Sequence, residues 1–341
     1  MSAQELAVLK TGLVTAVGLT APAACAAIRA KLTNPVQTRF LDRGGQWITG
    51  YPVPLAEPER GGGKLARMAA SAAAQCLADI PKRDWSSVAL QLCVAEKTRP
   101  GREEGFDEQL RWDIERHLET RFASVSIIAK GRTSIGTALL EARRLIFQQV
   151  AQHVLIVAAD SLLEWPALGA YERAARVLTS ENSNGFIPGE AAAAILVGQP
   201  SGQPELLCVG VGFGTESATL DSDQPLRADG LVEAIRGALA EAGCGLHDID
   251  LRIADLSGEQ YYFKEAALAL TRILRQRKDE LDLWHAAECT GEVGAAAGAI
   301  ALAVAEAACR KAYAPGPAIL LHASNDDGER TAAVLSYGVR S

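Results

Sequence analysis

The sequence predicts an α/β protein whose sheet is covered on both faces. Three observations lead there. Hydrophobic residues make up 48% of the 341 residues while aromatics supply only 5%. The apolar content is therefore mostly Ala, Val, Leu and Ile, the small-residue composition of α/β folds. Apolar runs of strand length recur at residues 88–94 (interrupted only by Gln91), 125–129, 154–159 and 192–197, as strands buried on both faces require. Helical periodicity fills the intervals at residues 107–121, 134–149 and 163–178.

Taken in order, residues 6–9 form a short strand, 12–18 a Gly-containing turn and 22–32 an Ala-rich helix. Gly61 to Gly63 break the chain before a helix over 64–78. Residues 198–204 (GQPSGQP) are the clearest linker. After it, strands at 206–211, 251–254, 318–321 and 331–337 alternate with helices at 228–243, 260–275 and 294–312. Each series opens with a strand and a Gly-containing turn, and each carries a helix that starts at a Thr elbow, Thr133 or Thr290. A duplicated unit fits this pattern, although the pattern alone does not identify a repeat.

Composition excludes several functions. The 34 Lys and Arg against 41 Asp and Glu give a net charge of −7 and a pI near 5.4, which argues against nucleic acid as a partner. Seven Cys without a CxxC pair read as reduced thiols and a cytoplasmic compartment. The N-terminus has an acidic residue ahead of its apolar part, and no apolar run reaches bilayer-spanning length, so neither an export signal nor a membrane span is expected. The five His (117, 153, 247, 285 and 322) lack metal-ligand spacing. Walker A, HExxH, GxSxG and a helix-opening GxGxxG are all missing; Gly210-Val-Gly212-Phe-Gly214 has the wrong spacing for the last. No metal and no cofactor are expected.

Longer stretches carry a family resemblance. Residues 154–163 (VLIVAADSLL), then Tyr171 and 177–179 (VLT), then 184–197 (NGFIPGEAAAAILV) resemble the core of the β-ketoacyl synthases, where a strand end runs to a DGFVxGEGA turn and returns as a strand. Residues 290–298 (TGEVGAAAG) resemble the GHxxxAAG helix start of that family, and residues 9–18 and 207–214 extend the match over nearly the whole chain. The resemblance implies the thiolase fold, a five-layered α-β-α-β-α arrangement of two similar halves, residues 1–199 and 204–341, in one compact unit.

The family attacks an acyl thioester with a Cys thiolate at a helix elbow, while two His polarise the malonyl carboxylate and the oxyanion. By resemblance the nucleophile position falls on Thr133, the first His on Asp255 and the second on Glu292. The Lys before the second His falls on Ala287, and the GFGG loop is replaced by residues 325–330 (NDDGER). A hydroxyl needs an adjacent base to act as nucleophile, and carboxylates cannot donate to an oxyanion unless held protonated. Decarboxylative condensation is not expected. Plainer roles stand beside these: Thr133 or Ser134 as helix N-cap, Glu292 as a dipole-favoured first-turn acid, Asp255 as a loop cap, Cys289 as a buried inert thiol rather than a displaced nucleophile, and Trp112 and His117 as surface residues. If Thr133, Asp255 and Glu292 converge, the repurposed pocket would hold a cation or basic group, or act as a weak acid/base pair.

The expected function is a ketosynthase-like adaptor, chaperone or partner protein without catalysis. Residues 15–19, 25–30 and 38–55 resemble thiolase-like accessory proteins found with type VI secretion effector genes, which implies a secreted effector as partner. The alternative is an acyltransferase or 3-oxoacyl-(acyl-carrier-protein) synthase-like enzyme that handles thioesters through Thr133, Ser134 or Cys289. The family pairs as dimers through the strand before the elbow, here residues 124–129, implying a homodimer. Short segments around 96–121 and 161–184 imply that no long acyl chain is housed.

Overall fold

The computed structural model describes residues 4–56 and 60–339; Met1 and Ser341, the outer ends of the two halves drawn above, lie outside the described residues. Before the 199–204 linker the elements are β1 (Leu6–Val14), α1 (Ala21–Arg29), β2 (Val36–Leu41), β3 (Trp47–Gly50), α2 (Gly61–Leu77), β4 (Ala89–Val94), α3 (Phe106–Leu118), β5 (Ser124–Ala129), α4 (Ser134–Phe147), β6 (His153–Ser161), α5 (Trp165–Arg173) and β7 (Glu190–Gly198). After it come β8 (Glu205–Thr215), α6 (Asp229–Ala242), β9 (Leu251–Ala254), α7 (Gln260–Ile273), β10 (Asp282–Trp284), α8 (Ala287–Thr290), α9 (Ala297–Arg310), β11 (Ala318–Ser324) and β12 (Glu329–Gly338).

Ten strands form one sheet in the order β10-β9-β11-β12-β8-β1-β7-β6-β4-β5, and β2 and β3 form a separate hairpin. The sheet is two five-stranded runs, joined where Leu6–Val8 of β1 pair antiparallel with β8. Both runs have the same internal order (third, second, fourth, fifth, first). Both also have the same directions: β5-β4-β6 and β10-β9-β11 are parallel, and the remaining pairs within each run are antiparallel.

Side-chain alternation along the strands decides the layering. On β6, Val154, Ile156 and Ala158 pack in a central core with α4 and α9, while Leu155, Val157 and Ala159 pack against α2 and α3. On the other run, Ile319 and Leu321 join the same central core while Leu320, Ala332 and Val334 meet α6 and α7. The result is five layers, α2/α3, sheet, α4/α9, sheet, α6/α7, as the resemblance implies. Strands buried on both faces explain the apolar runs of β4, β6 and β7; the run at 125–129 differs, because β5 is an end strand with Ser124 and Ser126 exposed.

Small residues let the layers close. Helix α9 lies between the two sheets and is buried nearly all round, with Gly298 where a Cβ would stand 2.4 Å from Ile135 Cγ2. Gly210, Gly212 and Gly214 occupy alternate positions of β8, where Cβ atoms would lie 2.2, 2.0 and 2.1 Å from the carbonyl oxygens of Ala238, Ala234 and Gly230. This triplet is a bed on which the α6 backbone rests, not a nucleotide loop.

Several boundaries differ from the sequence reading. Gly12 lies inside β1 and the turn is confined to Thr15–Gly18. Gly61 to Gly63 open α2 rather than break the chain before it. The helix expected over 163–178 ends at Arg173, because Ala175 turns left-handed (φ 54°) and frees Val177 to pair with Phe186. The helix expected from 294 starts with a 3-10 turn, Gly294–Ala296. The β2–β3 hairpin and the three-residue β10 had no counterpart in the reading.

Gly212→Ala should lower stability in urea denaturation by about 1–3 kcal/mol or more through overpacking. Gly63→Ala, where a Cβ meets nothing within 4 Å, should be neutral or stabilising. Equal effects would contradict the close strand–helix approach.

Candidate functional site

The elbow between β5 and α4 is a single 3-10 turn, Gly131–Thr133. Gly131 has φ +48°, and a Cβ there would stand 2.2 Å from Glu96 Oε2, so the turn needs glycine on both counts. The next residue, Arg132, is 6% exposed and is the side chain that reaches both Asp255 and Glu292. Its Nε lies 3.7 Å from Asp255 Oδ2, its Nη1 3.4 Å from Glu292 Oε2 and its Nη2 2.6 Å from Asp326 Oδ1. Nη2 also donates to the Tyr262 hydroxyl at 2.8 Å, and the guanidinium stacks 4.4 Å over the Tyr262 ring.

Each acid is fixed from a different element. Asp255 directly follows β9 and accepts from the Ser324 N–H at 2.9 Å. Glu292 accepts from the Ser257 hydroxyl at 2.6 Å and the Gly294 N–H at 2.8 Å. The Glu292 main chain is pinned to the 187–189 turn, its N–H donating to Ile187 O and its carbonyl accepting from the Gly189 N–H, both at 2.8 Å. Asp326 lies in the 325–330 loop; it accepts from the Tyr262 hydroxyl at 2.5 Å and from Arg176 Nη1 at 2.6 Å. Arg176 in turn forms a two-pronged pair with Glu259 at 2.7 and 2.8 Å.

Burial pushes the Asp255 carboxyl up from 3.8 to about 6, against the pull of Arg132 and the Ser324 N–H. For Asp326 burial acts in the same sense, but the charge of Arg132 and the hydrogen bond from Arg176 outweigh it and hold the carboxyl below the ordinary range. Arg132 stays charged: burial opposes its charge, and Tyr262 with three carboxylates more than restores it. The basic group that two acids at this place would call for is supplied by the chain itself.

Thr133 takes a different direction. Its hydroxyl donates to Lys130 O at 2.9 Å, lies 3.3 Å from Glu329 Oε2 and accepts from Asn325 Nδ2 at 3.2 Å. The structure thus brings Asp255 and Glu292 together on Arg132, while Thr133, 3% exposed, joins the neighbouring Asn325 and Glu329. Thr133 holds the N-cap position of α4, but neither its side chain nor that of Ser134 caps the helix. Thr133 has helical dihedrals (φ −85°, ψ −2°) where a cap needs extended ones, and α4 has no side-chain cap. Ser134 Oγ instead bridges Lys130 N and Ile128 O. Cys289 is buried, and burial pushes its thiol up, away from the thiolate. Trp112 and His117 are exposed on α3, with Trp112 between the guanidinia of Arg111 and Arg121.

Little room remains. The two cavities bordered by Glu292 measure ≈ 10 Å³ each, about enough for one water. A second buried ion cluster continues the first: Arg99 pairs with Glu96 at 2.9 Å and Asp160 at 3.2 Å, and Asp160 accepts from the Ala295 N–H at 2.9 Å.

No family model matches the chain, and no curated protein matches it in sequence. Solved structures do match. The ishigamide ketosynthase/chain length factor superposes with TM-score 0.78 at 18% identity, over 99% of this chain and 100% of that one. A ketosynthase in complex with its chain length factor from Xenorhabdus doucetiae gives 0.80 at 14% identity, over 98% of each. A β-ketoacyl synthase from Burkholderia phymatum gives 0.73 at 15% identity, over 98% and 99%. The chain has the ketosynthase fold. Sequence identity this low carries the architecture and not the chemistry.

Arg132, Asp326, Arg176, Glu259 and Tyr262 were not singled out from the sequence. The available signal was a basic residue next to Thr133 combined with an acidic loop, residues 325–330, in place of a glycine-rich one.

The Asp255 carboxyl binds an extra proton in the folded chain between its ordinary value of 3.8 and about 6. The stability it contributes is therefore present below the lower value and lost as pH rises through the upper one. Asp255→Asn removes this term. Wild-type stability minus that of the variant should fall by roughly 2–3 kcal/mol between pH 4 and 7 in urea titrations; a flat difference would contradict the assignment.

Proposed function

We propose that this chain is a non-catalytic ketosynthase-fold subunit, an adaptor or partner protein whose reaction centre has been converted into a structural ion cluster. One observation carries the reading: the Arg132 guanidinium pairs with both Asp255 and Glu292, and the two cavities bordered by Glu292 among the described residues are water-sized. Neutral imidazoles that donate to an oxyanion are replaced by two acids whose charge is already spent on a cation.

Pairing is the expected mode of action. β5 is an end strand of the sheet and bonds only to β4 among the described residues. Its outer edge leaves N–H and C=O groups for another chain, and two of the similar structures are ketosynthases with chain length factors. A homodimer through this edge, acting on a secreted effector of a type VI system in the cytoplasm, is the assembly that the resemblance supports. A second reading has one observation in its favour: the Glu329 carboxylate stands 3.3 Å from the Thr133 hydroxyl, where a general base would stand. In that case the protein is an acyltransferase acting on thioesters.

Incubation with acyl-thioester probes followed by intact mass measurement separates the two. No adduct is expected; acylation at Thr133, Ser134 or Cys289 would overturn the adaptor reading. In light scattering the protein should run at twice 36.0 kDa. Ser126→Lys, on an exposed position of β5, should shift it to the monomer. A wild-type mass of one chain would reject the dimer.

A further inference from the structure

Apart from the occluded centre, a cavity of ≈ 320 Å³ opens among α1, β10, α8 and α9. That is the lower end of the range that small-molecule sites occupy, about 300–1,000 Å³. None of its lining residues belongs to the Arg132 cluster.

Which of its walls are free decides what fits. Tyr313 carries the Arg29 guanidinium 4.1 Å from its ring centre and is stacked with Trp284, the centroids 6.2 Å apart and the planes 20° from parallel. The Tyr313 ring is thus engaged by its own neighbours. His285 is turned edge-on to Phe263, and its Nδ1 is covered, so that atom offers the cavity no acceptor. What remains is aliphatic. Ile28, Leu283 and Ala286 are half-buried, and Ile253 and Val304 complete the wall. Such a surface takes up hydrocarbon by withdrawing it from water, without stacking or hydrogen bonding.

The charged groups leave one remainder. Lys31 lies 3.5 Å from Glu288, and His285 Nε2 faces the same carboxylate at 3.4 Å. Glu288 is therefore answered within the chain. Arg29 is exposed and has no carboxylate partner among the described residues. Stacking on Tyr313 occupies the face of its guanidinium and leaves the in-plane N–H donors free, held in one orientation. A carboxylate matches that edge, because it accepts two parallel hydrogen bonds.

We propose that this cavity binds an aliphatic monocarboxylate as the free acid anion. The hydrocarbon chain lies against Ile28, Leu283, Ala286 and Val304, and the carboxylate meets the edge of the Arg29 guanidinium. No thioester and no reacting group are involved, and the site does not depend on the non-catalytic reading of the Arg132 centre.

Titration calorimetry on the whole protein tests this with butanoate, hexanoate, octanoate and octan-1-ol. Octanoate should bind saturably at one site per chain. Each pair of methylenes from butanoate to octanoate should tighten binding about ten-fold. Octan-1-ol, which has the chain without the charge, should bind at least about ten-fold more weakly than octanoate. Arg29→Glu, on an exposed side chain, should weaken octanoate by a similar factor and leave octan-1-ol unchanged. Arg83→Glu, on an exposed side chain elsewhere, should alter neither and so controls for net charge. Leu283→Trp, on the end strand β10, fills the space and should weaken both. Absence of saturable octanoate binding would overturn the proposal, as would an affinity independent of chain length, an Arg29→Glu affinity equal to wild type, or unchanged octanoate binding in Leu283→Trp.

Discussion

The centre of this molecule is organised by one buried cation. Arg132 meets acids from three separate places: the end of β9, the turn before α9 and the 325–330 loop. Remove its charge, and of Asp255, Glu292 and Asp326 only Asp326 keeps an arginine partner among the described residues, Arg176, which it shares with Glu259. Burying ions costs several kcal/mol each, repaid only where geometry and further hydrogen bonds are good. Here each carboxylate has at least one additional donor, from a backbone N–H, Ser257, Tyr262 or Arg176. The cluster therefore fixes where three loops meet more surely than it raises total stability.

The scaffold around it rests on a second kind of contact. Five layers are held by strand alternation and by Ala and Gly contacts between helices and sheets, and one of these, Gly298 against Ile135, lies beside the Arg132 backbone. The architecture alone therefore does not decide what the centre does.

Legibility from sequence followed burial. β4, β6 and β7 were plain because both faces are buried and their residues are mostly apolar, with Gln91 the one polar residue inside the β4 run. The β2–β3 hairpin was invisible because it is largely exposed, and β10 because three residues carry no period. At the site, the positions of Asp255 and Glu292 were readable by resemblance, and they do meet. Arg132 was missed for a geometric reason. Successive side chains in a 3-10 turn are about 120° apart, so a difference of one residue decides which of Arg132 and Thr133 enters the centre. Arg176, Tyr262 and Asp326 reach it from distant parts of the chain, with no local pattern to connect them.

A double-mutant cycle on Arg132 and Glu292 tests the central claim most directly. Arg132→Met, Glu292→Gln and the double variant would be compared with wild type by urea denaturation. If the guanidinium compensates the carboxylate, Arg132→Met should cost about 3–5 kcal/mol, and the double variant should recover part of that loss, giving a coupling of at least about 1–2 kcal/mol. Additive losses, with no coupling between the two positions, would contradict the account.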